Sequence, residues 1–342
     1  MTTYLIRPEI LAQTVHNPWS TRLPSGPAAL RLHDCDINTQ WQRVERKAGE
    51  CDWSEMDRLA AMSRKAGLTW VDCIYGTPGF LATSKRKDAY GFVGGASVPY
   101  DLEALKYFVA QRLSFNVPRK PRLIAMIEAW NEPRGYLECC TPPTDPEPKG
   151  WRADWVQAVP IQRAVYMGAR RADKGVRVLS MSMLAGRPQD WFDFIQAGGM
   201  AYADDLAIHA YGHDLAKFDD LLRRARVLLD THGLQGKGLA LTECGQQPRY
   251  EPRFLSMSLK HQVREWANCM LLAASWGSSC FVTYSEDPSD GAVQSRELYG
   301  MSEVYRGAAE LVRPFVGKRI RKAAGWSVEK PVWVIGGRRV AL

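Results

Sequence analysis

Two glutamates, Glu132 and Glu243, each stand at the end of an apolar run rich in β-formers. Ile127-Glu128-Ala129-Trp130 leads into Asn131, Glu132 and Pro133, and Leu239-Ala240-Leu241-Thr242 leads into Glu243, Cys244 and Gly245. A carboxylic acid at a strand end, sheltered by aromatics, has its pKa raised and can protonate a leaving group. A second carboxylate facing it can attack an anomeric carbon. Carboxyl groups about 5–5.5 Å apart suit such a double displacement, whereas about 6.5–9.5 Å leaves room for water and implies inversion. Asn131 is placed to hydrogen-bond a neighbouring sugar hydroxyl. Taken singly, each glutamate has a plainer use, as a helix cap or an arginine partner; the two contexts together shift the balance towards chemistry.

Other candidates carry less. His209 and His213 are four apart, a spacing that suits metal ligands on a helix. The His-Ala-Tyr-Gly-His stretch leaves a strand, so that geometry is not expected and no metal is assigned. Asp34, Asp36, Glu286 and Asp287 lie near strand ends, where support or surface roles fit them. There is no G-x-S-x-G elbow and no P-loop. Gly91-Phe92-Val93-Gly94-Gly95 follows no strand and lacks the dinucleotide spacing, so it reads as a flexible loop. Most of the 12 tryptophans fit a core, with Trp19, Trp151 and Trp155 as the better cleft candidates.

The elements that must carry these residues alternate. Asp52, with Glu55 three residues on, predicts a capped helix whose apolar positions recur through Met62 and which stops at Gly67. Residues 69–75 follow as a short buried strand. The same unit recurs: strands are predicted at 30–34, 69–75, 123–130, 176–183, 206–210, 239–242 and 280–284, with a weaker one at 12–16. Helices are predicted at 101–113, 160–174, 188–197, 216–232, 254–276 and 302–312. Alternation implies a mostly parallel sheet with helices outside, and eight strands favour a closed (β/α)8 TIM barrel over an open sheet. The barrel would span residues 1–315. Residues 316–342 read as a short β-strand appendage packed on it, too small for a core of its own. Two loops after strands, 79–99 and 133–150, are long enough to wall a cleft on the barrel's catalytic face, unless they are plain insertions.

Composition narrows the partners. The net charge of +8 admits nucleic acid, an anionic membrane surface or an acidic polysaccharide. The cations are scattered, however, and the densest runs, Lys85-Arg86-Lys87, Arg223-Arg224 and 318–322, read as solvated surface. No nucleic-acid motif accompanies them. No run approaches the roughly 18 apolar residues of a membrane span. The first residues lack a secretory signal, which leaves a cytoplasmic protein, another export route or a removed signal. Eight cysteines without a C-x-x-C pair predict a reduced chain without disulfides.

With Trp130-Asn131-Glu132-Pro133, Thr242-Glu243-Cys244-Gly245 and His209-Ala210-Tyr211, the chain resembles the retaining glycoside hydrolases of clan A. Within the clan it is most similar to family 39 and its barrel-only relatives. Arg31-Leu32-His33-Asp34, Trp41, Glu45, Gly49, Asp52-Trp53, Asp57, Gly67 and Thr77-Pro78 follow the same spacing, and the likeness covers roughly residues 28 to 285. The resemblance implies Glu132 as acid/base after the fourth strand and Glu243 as nucleophile at the end of the seventh. It implies that Asn131 binds a 2-hydroxyl and that His209 and Tyr211 contact the nucleophile or the sugar. Arg31 would hold Glu243 ionised, and Trp41 and Tyr284 would stack on sugar faces. No cofactor is implied; the partner is an oligo- or polysaccharide, and a monomer is slightly favoured. A transglycosylase or a non-catalytic saccharide-binding barrel are the alternatives. The chain departs from the pattern in having no room for the β-sandwich of family 39 xylosidases. It also has Tyr284 where many clan members carry Trp.

Overall fold

Strand and helix alternate along the chain in the computed structural model, which describes residues 2–14, 28–32, 38–88, 91–116, 122–144, 146–149, 152–212, 214–245, 256–284 and 302–342. The strands are β1 (Tyr4–Leu5), β2 (Ala12–Thr14), β3 (Ala29–Leu32), β4 (Glu45–Lys47), β5 (Glu50–Cys51), β6 (Thr69–Cys73), β7 (Ile124–Glu128), β8 (Arg177–Leu179), β9 (Met183–Leu184), β10 (Asp205–Tyr211), β11 (Gly238–Gly245), β12 (Ser278–Thr283), β13 (Arg319–Lys322), β14 (Trp333–Ile335) and β15 (Arg338–Val340). The helices are α1 (Trp41–Val44), α2 (Ser54–Ala66), α3 (Leu102–Arg112), α4 (Pro133–Tyr136), α5 (Trp155–Ala172), α6 (Pro188–Gln196), α7 (Leu215–Thr231), α8 (Leu259–Ser275) and α9 (Ser302–Val312). Strands β2, β3, β6, β7, β8, β10, β11 and β12 form one sheet in chain order, and the additional β11–β10 pairing closes it into the (β/α)8 barrel. Among the described residues no helix is long and apolar enough to cross a membrane.

The contacts group into two compact units, Leu32–Ala207 and Met1–Arg31 with Ile208–Leu342. In the first, β7 runs parallel to β6 and to β8, with Ile127 opposite Asp72 and Val178. Gly67 ends α2 at φ 69°, a left-handed turn that costs glycine little. Asp52 does not cap this helix; its carboxylate takes the Ser54 N–H at 3.0 Å in a local turn, and α2 starts after Trp53. Helix α5 starts five residues earlier than the predicted 160, because the Asp154 side chain accepts from the Gln157 N–H and Pro160 is carried inside the helix. The predicted strand 176–183 is two short strands. Ser180 and Ser182 interrupt it, their N–H groups donating to Asp205 and Trp130 carbonyls.

Helices α3 and α5 meet closely at Gly168, where a Cβ would stand 2.6 Å from the Lys106 carbonyl oxygen. Arg112 of α3 turns inward to Asp72 of β6, and both side chains are fully buried. Burial pushes the Asp72 carboxyl up, and the Arg112 guanidinium pulls it back down. The loop of residues 79–99 is tied down throughout its described part. Thr77 Oγ1 donates to the Ser97 carbonyl at 2.5 Å, and Ser97 Oγ accepts the Thr83 and Ser84 N–H groups. The 91–95 segment is a hydrogen-bonded turn, in which the Gly91 N–H donates to the Asp88 carbonyl and the Gly95 N–H to the Phe92 carbonyl. Asp88 accepts from Phe92 N–H, and a Cβ on Gly95 would strike the Asp88 carboxylate.

In the second unit β12 runs parallel between β11 and β2, and β2 parallel to β3. Trp266 of α8 packs edge-on against Phe281 of β12 and Phe218 of α7. The C-terminal strands form an antiparallel sheet in the order β1-β13-β14-β15, so the N-terminal pair Tyr4–Leu5, which no periodicity marks, completes it. Trp333 anchors this sheet by donating its indole N–H to Asn268 of α8 at 2.9 Å. Cys51, Cys73, Cys139, Cys140, Cys244, Cys269 and Cys280 are free thiols; Cys35 lies outside the described residues.

Candidate active site

Glu243 is two residues from the end of the eight-residue strand β11 and is almost fully buried. Four of the sequence-derived residues gather around it. Arg31 of β3, itself fully buried, donates from Nη1 to Glu243 Oε1 at 2.7 Å. Tyr211 donates its hydroxyl to Oε2 at 2.5 Å, and His209 Nδ1 stands 3.4 Å from the same oxygen. His209 and Tyr211 are two apart on β10, so both side chains leave the same face of the strand. Tyr284 sets its ring edge-on to Tyr211, centroids 5.9 Å apart at 74°.

The backbone explains the residues flanking Glu243. A Cβ at Gly245 would sit 3.1 Å from the Tyr211 ring, so glycine leaves the phenol its place. The Gly245 carbonyl also accepts from Gly212 N–H, and the Cys244 carbonyl from Tyr284 N–H. Cys244 is fully buried, and burial pushes its thiol well up, which suits a small apolar filler. With a guanidinium and a phenol each donating to one of its two oxygens, the Glu243 carboxyl group is fixed in position and orientation.

Asn131 and Glu132 belong to the other unit. Strand β7 ends at Glu128, and the chain runs on through Trp130, which packs at 5.4 Å against Tyr75. Asn131 is buried. Glu132 then takes a left-handed conformation, φ 36° and ψ 66°, before Pro133 opens α4. Such a conformation on a residue other than glycine is costly and collects at functional sites. Its N–H donates to Ser182 Oγ at 3.2 Å, and its carbonyl accepts from Gly135 and Tyr136. Beyond it, Arg134 reaches Glu147 and Asp190, fastening the 133–150 loop to α6. That loop also joins the 79–99 loop, where Ser84 Oγ donates to Glu138 at 2.5 Å.

Two tryptophan expectations need correction. Trp41 is fully buried, stacked on Phe108 and donating its indole N–H to Glu45, so its faces are covered and a sugar cannot stack there. Trp155 is likewise buried, edge-on to Phe194, as the first residue of α5. Trp19, Trp151, His213, Asp34, Asp36, Glu286 and Asp287 lie outside the described residues. Sequence reasoning passed over Glu128 and Ser182. The signal for Glu128 was present, since a charge inside the apolar run Ile124–Glu128 needs a buried partner.

No family model matches the chain, and no curated protein sequence does. Solved structures share its fold. A family 39 β-xylosidase from Caulobacter crescentus superposes with a TM-score of 0.65 at 15% identity, covering 98% of this chain and 78% of that one. A family 39 glycoside hydrolase from Bacteroides cellulosilyticus WH2 gives 0.64 at 15% identity over 97% of this chain and 69% of that one. The family 53 catalytic domain from Ignisphaera aggregans gives 0.55 at 16% identity over 89% of this chain and 96% of that one.

Proposed function

We propose that this barrel is a retaining glycoside hydrolase acting on a β-linked oligo- or polysaccharide, with Glu243 as nucleophile and Glu132 as acid/base. The observation that carries the reading is the cradle of Glu243: a carboxylate at a barrel strand's end, almost buried, with a donor on each oxygen. Catalytic groups of this fold stand at strand ends. The neighbours of like fold are described as a xylosidase and other glycoside hydrolases, which supports the substrate class.

In the first step a Glu243 carboxylate oxygen bonds to the anomeric carbon as the bond to the leaving oxygen breaks. Glu132 passes its proton to that leaving oxygen. In the second step Glu132, now a carboxylate, takes a proton from water; the water oxygen bonds to the anomeric carbon, and the bond to Glu243 breaks. Arg31 and Tyr211 keep Glu243 aimed, and the Tyr211 hydroxyl is positioned to release its bond as the carboxylate oxygen is consumed. Asn131 holds the hydroxyl next to the reacting carbon, and Tyr284 offers a ring face or edge to the sugar. The two fastened loops supply cleft walls suited to a chain of sugars rather than one.

The test is covalent trapping with 2-deoxy-2-fluoro β-glycosides of xylose, glucose and galactose. Intact-mass and peptide analysis should find one sugar per chain, on Glu243. An adduct on another residue contradicts the assignment.

A further inference from the structure

We propose that Ser182, backed by Glu128, is a positioning residue that holds Glu132 in its strained backbone conformation and so aims the acid/base carboxyl. The proposal rests on Glu132 being the acid/base.

Three observations carry it. Glu132 stands at φ 36° and ψ 66°, where a side chain with a Cβ is held only by its surroundings. Ser182 Oγ accepts the Glu132 N–H at 3.2 Å, so it touches the strained residue at its own backbone. The same oxygen stands 3.0 Å from Glu128 Oε1 and 3.3 Å from the Trp130 carbonyl. A hydroxyl has one proton, and the nearer, carboxylate acceptor takes it. Donating to a carboxylate makes the hydroxyl oxygen a better acceptor for the Glu132 N–H.

Both supports are themselves fixed. Ser182 N–H donates to the Trp130 carbonyl at 3.0 Å, which joins the break between β8 and β9 to the segment that precedes Glu132. Glu128 Oε1 also receives the Cys73 thiol at 3.3 Å. Ser182, Glu128 and Cys73 are all buried, Ser182 and Glu128 fully. A carboxylate and a hydroxyl in an apolar strand environment are expensive to keep. Bracing a strained glutamate accounts for their presence. Among the described residues, Glu132 and Asn38 alone combine a positive φ with a side chain.

Ser182→Ala removes the acceptor and the donor together with almost no change of volume. Its crystal structure should show Glu132 relaxed to negative φ, or its carboxyl displaced by about 1 Å; an unchanged Glu132 overturns the proposal. The kinetic test uses substituted phenyl β-D-xylosides, or β-D-glucosides where those turn over faster. A misaimed acid matters for a poor leaving group and hardly for one that departs unaided. For Ser182→Ala, kcat/KM should fall about a hundredfold on 4-methylphenyl glycosides and stay within roughly threefold on 2,4-dinitrophenyl glycosides. A merely structural loss lowers both alike, and that result overturns the proposal. Glu132→Ala is the control: it should show the same split more steeply. A split in Glu132→Ala but not in Ser182→Ala defeats the brace alone, and no split in either defeats the acid/base reading with it.

Discussion

Arg31 and Tyr211 reach Glu243 from two different strands and take one carboxylate oxygen each, at 2.7 Å and 2.5 Å. The arrangement fixes the carboxylate plane as well as its position. It also divides the labour, since one donor carries a permanent charge and the other is neutral.

That division gives the first expectation. Tyr211→Phe removes one neutral donor and leaves the Tyr284 ring contact available. It should lower kcat about 10²-fold, on the scale of losing one donor at a reacting oxygen, and leave the circular dichroism spectrum and melting temperature near those of the parent. Steady-state kinetics on aryl β-glycosides with a parallel melt check this; a variant with parental kcat would remove Tyr211 from the site.

Arg31→Met should behave differently. Arg31 is fully buried, and removing it leaves the Glu243 carboxylate without its cation. Breaking a buried pair from one side costs about 3–5 kcal/mol, so chemical denaturation should show lost stability together with lost activity. Activity lost with stability intact would mean that Arg31 acts on the reaction alone.

A second buried pair makes a stability test free of the site. Arg112 and Asp72 are both fully buried, and Arg112 also donates to the Thr39 carbonyl. Arg112→Met should cost about 3–5 kcal/mol by leaving Asp72 unpaired. The Asp72→Asn/Arg112→Met double variant should recover part of that loss, because no charge then stays buried alone. Urea melts of the two single variants and the double variant read this, and strict additivity would contradict it.

Cys51 sets a pH expectation. Burial, then the charge of Glu45, push its thiol up from 9.0 to about 11, and the thiol points to Gln111 at 3.6 Å. The folded chain holds this proton longer than the unfolded chain does. The contribution to stability is therefore whole below pH 9 and is lost as pH rises towards 11. Iodoacetamide labelling of the Cys51 peptide should keep accelerating up to that range. A rate that levels off just above pH 9, as for a thiol that titrates at the ordinary 9.0, would contradict the raised value.

Much of the barrel was legible in the sequence because apolar period and turn chemistry agree there. Gly67 shows this: one glycine ends α2, and a β-rich run starts at once. The strand predicted at residues 12–16 was weak because its apolar run is short, and Ala12–Thr14 forms its described part; β1 was invisible because a two-residue strand has no period. Glu132 and Glu243 stood out because a carboxylate at the end of an apolar strand conflicts with its surroundings. Trp41 misled for the opposite reason. The resemblance gives the spacing of an aromatic and not its surroundings, which here are Phe108 rather than a cleft. Ser182 was illegible, since its meaning lies in the backbone angle of a residue 50 positions away.

The measurement that bears most directly on the paired glutamates is azide rescue of Glu132→Ala and Glu243→Ala, with the products read by proton NMR. Each variant should lose several orders of magnitude in kcat without azide. With azide, Glu132→Ala should yield the β-glycosyl azide, because azide replaces water in the second displacement. Glu243→Ala should yield the α-glycosyl azide, because azide then replaces the nucleophile itself. The same anomer from both variants, or near-parental activity in either one, would contradict the two-glutamate account.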